Sequence, residues 1–248
     1  MGRSGQVGLA RALSKLGILS RVQATEAIRA GRVRVDGRIV RDPLRLVVPE
    51  HARIVLDGEQ RRRAPWRTIL LHKPRGVVTT RRDPEGRRTV YDVIGAAGEG
   101  LVPVGRLDFA STGLLILTTD TQLANWITDP DHAVPRVYLV TVRGEVTPAA
   151  AARLPAAAVL VRKRSQRETH LTLELKQGRN REIRRMFDAI DCPVTRLKRV
   201  RLGGLELDGL EPGAWRVITR DELRRAFPGW ASSTARPTRP ASDSAPRW

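Results

Sequence analysis

Asp108 lies at the centre of Gly105-Arg106-Leu107-Asp108-Phe109-Ala110-Ser111-Thr112-Gly113, a polar stretch that runs into Leu114-Leu115-Ile116-Leu117 and stops at Thr118-Thr119-Asp120. An ionised carboxylate can act as nucleophile or base, and a cation beside it favours the charged form. The apolar run after Gly113 reads as a buried strand, so the loop before it is held on a rigid sheet while staying reachable, a common setting for catalytic residues. The competing reading is an ordinary turn aspartate that bonds its own backbone. Two other stretches carry comparable chemistry. Lys73-Pro74-Arg75-Gly76 is a basic turn after Ile69-Leu70-Leu71, and Gly178-Arg179-Asn180 leads into Arg181-Glu182-Ile183-Arg184-Arg185-Met186-Phe187. All three adjoin strands and are free to converge on one cleft. No serine–histidine pair or phosphate-binding glycine loop competes with them. His51, His72, His132 and His170 lack the spacing of a metal site.

The elements that must position these groups follow from periodicity. Ile183, Met186, Phe187 and Ile190 recur at i, i+3, i+4 and i+7, which predicts an amphipathic helix from Arg181 with its apolar side in the core. Arginines crowd its first turn against the macrodipole, and a local cost of that kind points to a use, most simply an anion at the helix start. Asp120 precedes a helix with Leu123, Trp126 and Ile127 on one face. In Arg136–Val142, Tyr138, Val140 and Val142 share one side of a strand, and Thr169, Leu171, Leu173 and Leu175 alternate in another. Val90, Val93 and Ile94 begin a short helix, 148–158 reads as a peripheral helix and turn, and 195–205 as further β structure. Strands predominate, so residues 66–228 are expected to form an α+β domain on a mixed, mainly antiparallel sheet. The Ser, Thr, Pro, Ala and Arg of 229–248 predict disorder.

The chain has 248 residues, 41% of them hydrophobic, enough for one full-sized domain and a small one. A single cysteine, Cys192, excludes an internal disulfide and fits a reducing, cytoplasmic setting. No apolar run approaches the ~20 residues of a membrane span, and the N-terminus lacks the apolar core of a signal peptide. Lys and Arg number 45 against 26 Asp and Glu, a formal charge of +19. Such an excess suits a polyanionic partner. Nucleic acid is preferred over a membrane surface, because no basic amphipathic helix carries bulky aromatics.

Upstream, Leu9, Ala12, Leu13 and Leu16 recur at helical spacing before Gly17, and Ser20 with Gln23 makes a capping box for a helix that buries Ala24, Ala27 and Ile28. Val33, Val35 and Ile39 then alternate around Asp36-Gly37, a strong hairpin signal. Inward valines turn Arg32 and Arg34 outward, and with Arg21, Arg29, Arg38 and Arg41 they form a basic surface. The run from Ser20-Arg21 through Ala24, Ile28 and Gly31-Arg32-Val33-Arg34-Val35-Asp36-Gly37 resembles the S4-like RNA-binding module, with Val7-Gly8 where Arg-Leu is usual. An S4-like domain over 1–58, a linker over 59–65 containing Arg61-Arg62-Arg63, and the larger domain from Trp66 follow from this reading.

Lys73-Pro74-x-Gly76, Gly105-Arg106-Leu107-Asp108 with Ser111-x-Gly113-Leu114-Leu115, Tyr138 within Arg136-Val137-Tyr138, and Gly178-Arg179-Asn180-Arg181-Glu182-Ile183-Arg184-Arg185-Met186 together resemble the RsuA-type branch of the pseudouridine synthases. Ser111 stands where threonine is usual and Thr121 where glycine is usual. The resemblance implies isomerisation of a uridine in ribosomal RNA to pseudouridine, without metal or cofactor, by a monomer. By the same match Asp108 is the catalytic carboxylate, Arg184 its salt-bridge partner, and Tyr138 the residue stacked on the base. Arg106 is expected to extrude the base or fill its place, since a stacked uridine must flip to be reached. Lys73 and Arg181 are expected to make phosphate or scaffold contacts, while Arg21, Arg32 and Arg34 bind RNA from the S4-like domain. The Asp83-Pro84-Glu85-Gly86-Arg87-Arg88 loop leans towards the large-subunit members. Asp108 can attack the sugar, add to the base, or remove a sugar proton, and all three need it in nearly the same place. The rivals are a silent RNA-binding protein on this scaffold and an RNA glycosidase or nuclease, which calls for a positioned water with a second carboxylate or a metal.

Overall fold

A computed structural model describes residues 6–16, 18–19, 21–49, 51–60 and 65–230. The expected stop at Gly17, cap at Ser20, run Arg61-Arg62-Arg63 and tail over 231–248 lie outside the described residues.

Helix Leu9–Lys15 buries Leu9, Ala12 and Leu13, and helix Arg21–Arg29 buries Ala24, Ala27 and Ile28. They share one apolar cluster with a four-stranded antiparallel sheet ordered Arg38–Ile39, Val33–Val35, Ile54–Leu56, Glu59–Gln60. Asp36 and Gly37 both take positive φ (51° and 82°), as the two-residue hairpin turn requires. That turn sets Ile39 opposite Arg34, so Ile39 faces outward at 47% exposure and Val40 fills the inner side instead. Asp57-Gly58 repeats the same turn. Glu59 and Gln60, expected to begin the linker, therefore return along Leu56 and Val55 as a further strand of this sheet.

The second sheet has nine strands among the described residues. Its main path runs Ala158–Arg164, Glu168–Leu175, Arg136–Arg143, Val194–Leu202, Thr112–Thr118, Thr68–Lys73, Trp215–Val217. The neighbours are antiparallel except at one joint, where Val194–Leu202 runs parallel to Thr112–Thr118 through Lys198 opposite Thr112 and Arg199 opposite Gly113. Gly113 makes that joint possible. Its φ is +113°, and a Cβ there would sit 2.1 Å from the Arg199 carbonyl oxygen.

The central strands feed two apolar layers by alternation. Ile69, Leu71, Leu115 and Leu117 join Tyr138, Val140, Val142 and Phe187 on one side. Leu70, Leu114 and Ile116 join Leu123, Ile127 and Phe227 on the other. Both faces of 114–117 are covered, which explains a run without polar interruption. Asp120 caps helix Thr121–Thr128, accepting from the amides of Gln122 at 3.0 Å and Leu123 at 3.2 Å.

Several elements escaped the periodicity reading, the short strands Leu46–Val47, Ile54–Leu56 and Val102–Pro103 among them. Ala158–Arg164 and Trp215–Val217 are the two ends of the sheet path, with outward residues on most positions, so no clear alternation marks them. Helix Arg220–Ala226, capped by Thr219, buries Leu223 and Ala226 in the second of these apolar layers. The packed chain also passes the expected end at 228: Trp230 lies 6.2 Å from Trp126, ring centre to ring centre.

Candidate active site

The Asp108 loop is tied down from several directions. The Ser111 amide donates to the Asp108 carbonyl at 3.0 Å, closing a turn with the aspartate in its first position. The Thr79 hydroxyl donates to the Leu107 carbonyl at 2.9 Å, and the Gly76 amide donates to the Phe109 carbonyl at 2.8 Å. The Lys73 ammonium donates to the carbonyls of Ser111 (2.8 Å) and Pro74 (2.9 Å). Lys73 itself is fully buried, and burial lowers its pKa to about 8, with Asp108 opposing the drop. Of the two expectations for Lys73, a phosphate or a scaffold contact, its burial corrects the first and agrees with the second. A side chain with no surface cannot meet RNA, and its ammonium anchors the loop instead.

Against this loop comes helix Glu182–Asp188, with Ile183 and Phe187 on its buried side. The expected start at Arg181 shifts by one residue, since Arg181 takes the left-handed conformation (φ 49°) and stands at the cap. Arg184, one turn in, directs its guanidinium to the loop: Nε lies 3.9 Å from Asp108 Oδ2, while Nη1 donates to the Val194 carbonyl at 3.0 Å. Nε is buried with no hydrogen-bond partner. Burial, then the nearby Arg181, lowers the Arg184 pKa, and Asp108 pulls it back up. The pair is an ion pair a little too long for a hydrogen bond, the kind of spacing that can tighten when substrate enters.

Asp108 and Arg184 face a cleft of about 390 Å³. Its lining includes Arg106, Arg136, Arg179, Arg181, Arg184 and Arg199 against Asp108 and Glu182, so it favours an anion. Tyr138 is 8% exposed, packed in the core cluster below, and lines the same cleft.

Arg136, Arg179 and Arg199 of this lining had no role assigned from the sequence, and two of them are buried. Arg136 is buried and donates to the carbonyls of Val134, Lys176 and Ile127 at 2.7, 3.1 and 3.0 Å. Arg199 is 4% exposed; its Nε donates to the Leu114 carbonyl at 2.8 Å across the parallel joint, and its Nη2 is buried without a partner. A signal existed in strand parity, because Arg136 shares the inward side with Tyr138, and Arg199 shares it with Leu197.

The expected motifs thus separate. Residues 105–108 with Ser111, and segment 178–184, line the cleft, and Lys73 and Gly76 hold the loop from behind. Arg106 and Arg181 are exposed on the cleft wall. Arg21 lines a neighbouring groove with Arg11 and Lys15, and that groove shares Gly105 and Thr128 with the cleft. Arg32 and Arg34 point outward on the hairpin, away from the buried Val33 and Val35. Arg32 forms a two-point pair with Asp57, Nε to Oδ1 at 2.7 Å and Nη2 to Oδ2 at 2.5 Å. Among the described residues no three His, Cys, Asp or Glu side chains gather as a metal site, and no helix is long and apolar enough to cross a membrane.

Comparison with known proteins points the same way. A family model described as RNA pseudouridylate synthase matches residues 67–189, and an S4 domain model matches 7–52. An uncharacterized RNA pseudouridine synthase of Aquifex aeolicus is 35% identical, covering 90% of this chain and 94% of its own. The ribosomal large subunit pseudouridine synthase B of Bacillus subtilis is 33% identical, covering 88% and 94%. A crystal structure of a pseudouridylate synthase superposes with a TM-score of 0.61 at 29% identity, over 89% of this chain and 99% of that one. The α+β reading, a small RNA-binding unit ahead of a mainly antiparallel sheet, agrees with these matches and with the fold. With identity of this order extending over nine-tenths of its length, the chain belongs to the RNA pseudouridine synthases, a family of isomerases, and carries an S4 domain ahead of the synthase fold.

Proposed function

We infer that this chain converts a uridine of large-subunit ribosomal RNA to pseudouridine, with Asp108 as the catalytic carboxylate and no cofactor. The observation that carries the reading is Asp108 itself: a carboxylate on a loop pinned at Leu107, Phe109 and Ser111, in an arginine-lined cleft, facing Arg184 at 3.9 Å. The large-subunit assignment is supported by relatives named ribosomal large subunit pseudouridine synthase B, in Bacillus subtilis and in Vibrio vulnificus.

The reaction breaks the bond from C1′ to N1 and forms one from C1′ to C5, while C5 loses a proton and N1 gains one. An ionised carboxylate shielded from water can attack C1′, add to the uracil ring, or take a sugar proton, and each route needs it held beside the ribose. Arg184, facing it at 3.9 Å, aims Asp108 at the ribose. Tyr138 offers a ring in the cleft against which the extruded base can stack, and Arg106 on the wall fills the gap left in the RNA. We assign RNA affinity to the S4 unit and chemistry to residues 66–228. Mapping of pseudouridine in ribosomal RNA from cells lacking this chain, and from the same cells with the gene restored, tests the whole reading. One site is expected to vanish and return, and the absence of any such site refutes it.

A further inference from the structure

Phe109 directly follows Asp108, yet its ring does not share the cleft: 47% of the residue is exposed, and it is absent from the cleft lining. That leaves a large part of an aromatic ring free to meet a ligand. The backbone beneath it is nevertheless fixed. Its carbonyl accepts from the Gly76 amide at 2.8 Å, and the turn it belongs to is closed from Ser111 to Asp108. The ring reaches over Gly76, whose missing side chain leaves the space open: a Cβ there would stand 4.0 Å from Phe109 Cζ.

One arginine lies beside the ring. The Arg87 guanidinium lies 6.0 Å from its centre. Arg87 is itself positioned by Asp83, with hydrogen bonds at 3.0 and 2.8 Å, and by Glu85 at 2.9 Å. Arg75, next to Gly76, is exposed on the same turn. An exposed ring on a rigid loop with arginines nearby is the pattern by which proteins hold unpaired nucleotides, the ring taking a base face and the cations the phosphates.

We propose that Phe109 is a stacking platform for the nucleotide next to the target uridine, with the exposed Arg75 on its flanking phosphate. Asp108 and Phe109, consecutive in the chain, then read consecutive nucleotides: the target base enters the cleft while its neighbour rests on the rim. Phe109 is a positioning residue, and this role rests on the reading that the cleft receives a uridine of RNA.

The test is a double-mutant cycle between protein and RNA. Affinities of the full chain are measured for single-stranded RNA of about twelve nucleotides carrying one central uridine, with its neighbours either intact or abasic. Phe109→Ala is expected to weaken the intact RNA roughly tenfold and to leave the abasic RNA unchanged, because one lost base stack is worth about 1–3 kcal/mol. Phe109→Tyr is expected to restore the wild-type difference between the two RNAs. Equal weakening of both RNAs by Phe109→Ala, or weakening of neither, overturns the platform. Pseudouridine formation in ribosomal RNA is scored separately with the wild type. Loss of that activity alongside an intact coupling refutes the proposed function and leaves the platform standing; activity without coupling does the reverse.

Discussion

Arg184 meets Asp108 with one nitrogen while another is held on the Val194 carbonyl, so the guanidinium is fixed by the protein before any substrate arrives. Substitution of either partner should therefore act on the chemical step. Asp108→Asn keeps the shape and removes the charge; pseudouridine formation is expected to fall below detection while RNA affinity stays within a few-fold, as measured by binding at fixed salt. Arg184→Gln is expected to lower kcat by about 100-fold or more, since it removes a preorganised charge that faces Asp108. Lys73 carries a pH signature. The unfolded chain holds that proton to about 10.5, whereas the buried ammonium loses it near 8. Burial therefore costs stability in full below about pH 8, and the cost fades as pH rises towards 10.5, because the unfolded state then binds more protons. In urea titrations between pH 7 and 10, the wild type should gain on Lys73→Met, by about 3 kcal/mol at most.

At the scale of elements, the parallel joint between Thr112–Thr118 and Val194–Leu202 sets the site. It brings Arg199 to Gly113, and with it the floor of the cleft to the end of the Asp108 loop. Gly113→Ala would drive a methyl group into the Arg199 backbone at 2.1 Å. Backbone cannot yield as a side chain does, so a loss of more than about 4 kcal/mol is expected, visible as a large drop in thermal midpoint or as insoluble protein. Asp120→Ala is a milder change in the same strand–helix unit. It removes the cap of helix Thr121–Thr128 and should cost about 1 kcal/mol, measured by denaturant unfolding.

Over the whole molecule, +19 of formal charge is distributed unevenly with respect to use. Arg11, Lys15 and Arg21 of the S4 unit line a groove that continues into the cleft through Gly105 and Thr128, so an RNA strand leaving Asp108 meets positive charge on both units. Removing one phosphate contact flattens the dependence of log Kd on log salt by about one unit. Arg21→Ala and Arg34→Ala are each expected to do so. Arg32→Ala should change the slope less, since Arg32 already spends its planar face on Asp57. Affinities measured across a salt series decide between them.

Local pattern was enough for much of this. The motifs around Asp108 and Arg184, the division of Arg136–Arg143 into two sides, the covered strand 114–117 and the Asp36-Gly37 hairpin are readable because side-chain period and turn chemistry depend on near neighbours. The edge strands Ala158–Arg164 and Trp215–Val217 were not, because the first half-buries only Val159 and Val161 before its exposed Arg162-Lys163-Arg164 end and the second is exposed throughout. Tertiary structure alone decided that Lys73 is buried beneath the loop, that Arg199 reaches the cleft across a parallel joint, and that Phe109 stands outside it. Each of these depends on pairing between segments distant along the chain. Residue order specifies which side a group faces; only the assembled sheet specifies what it faces.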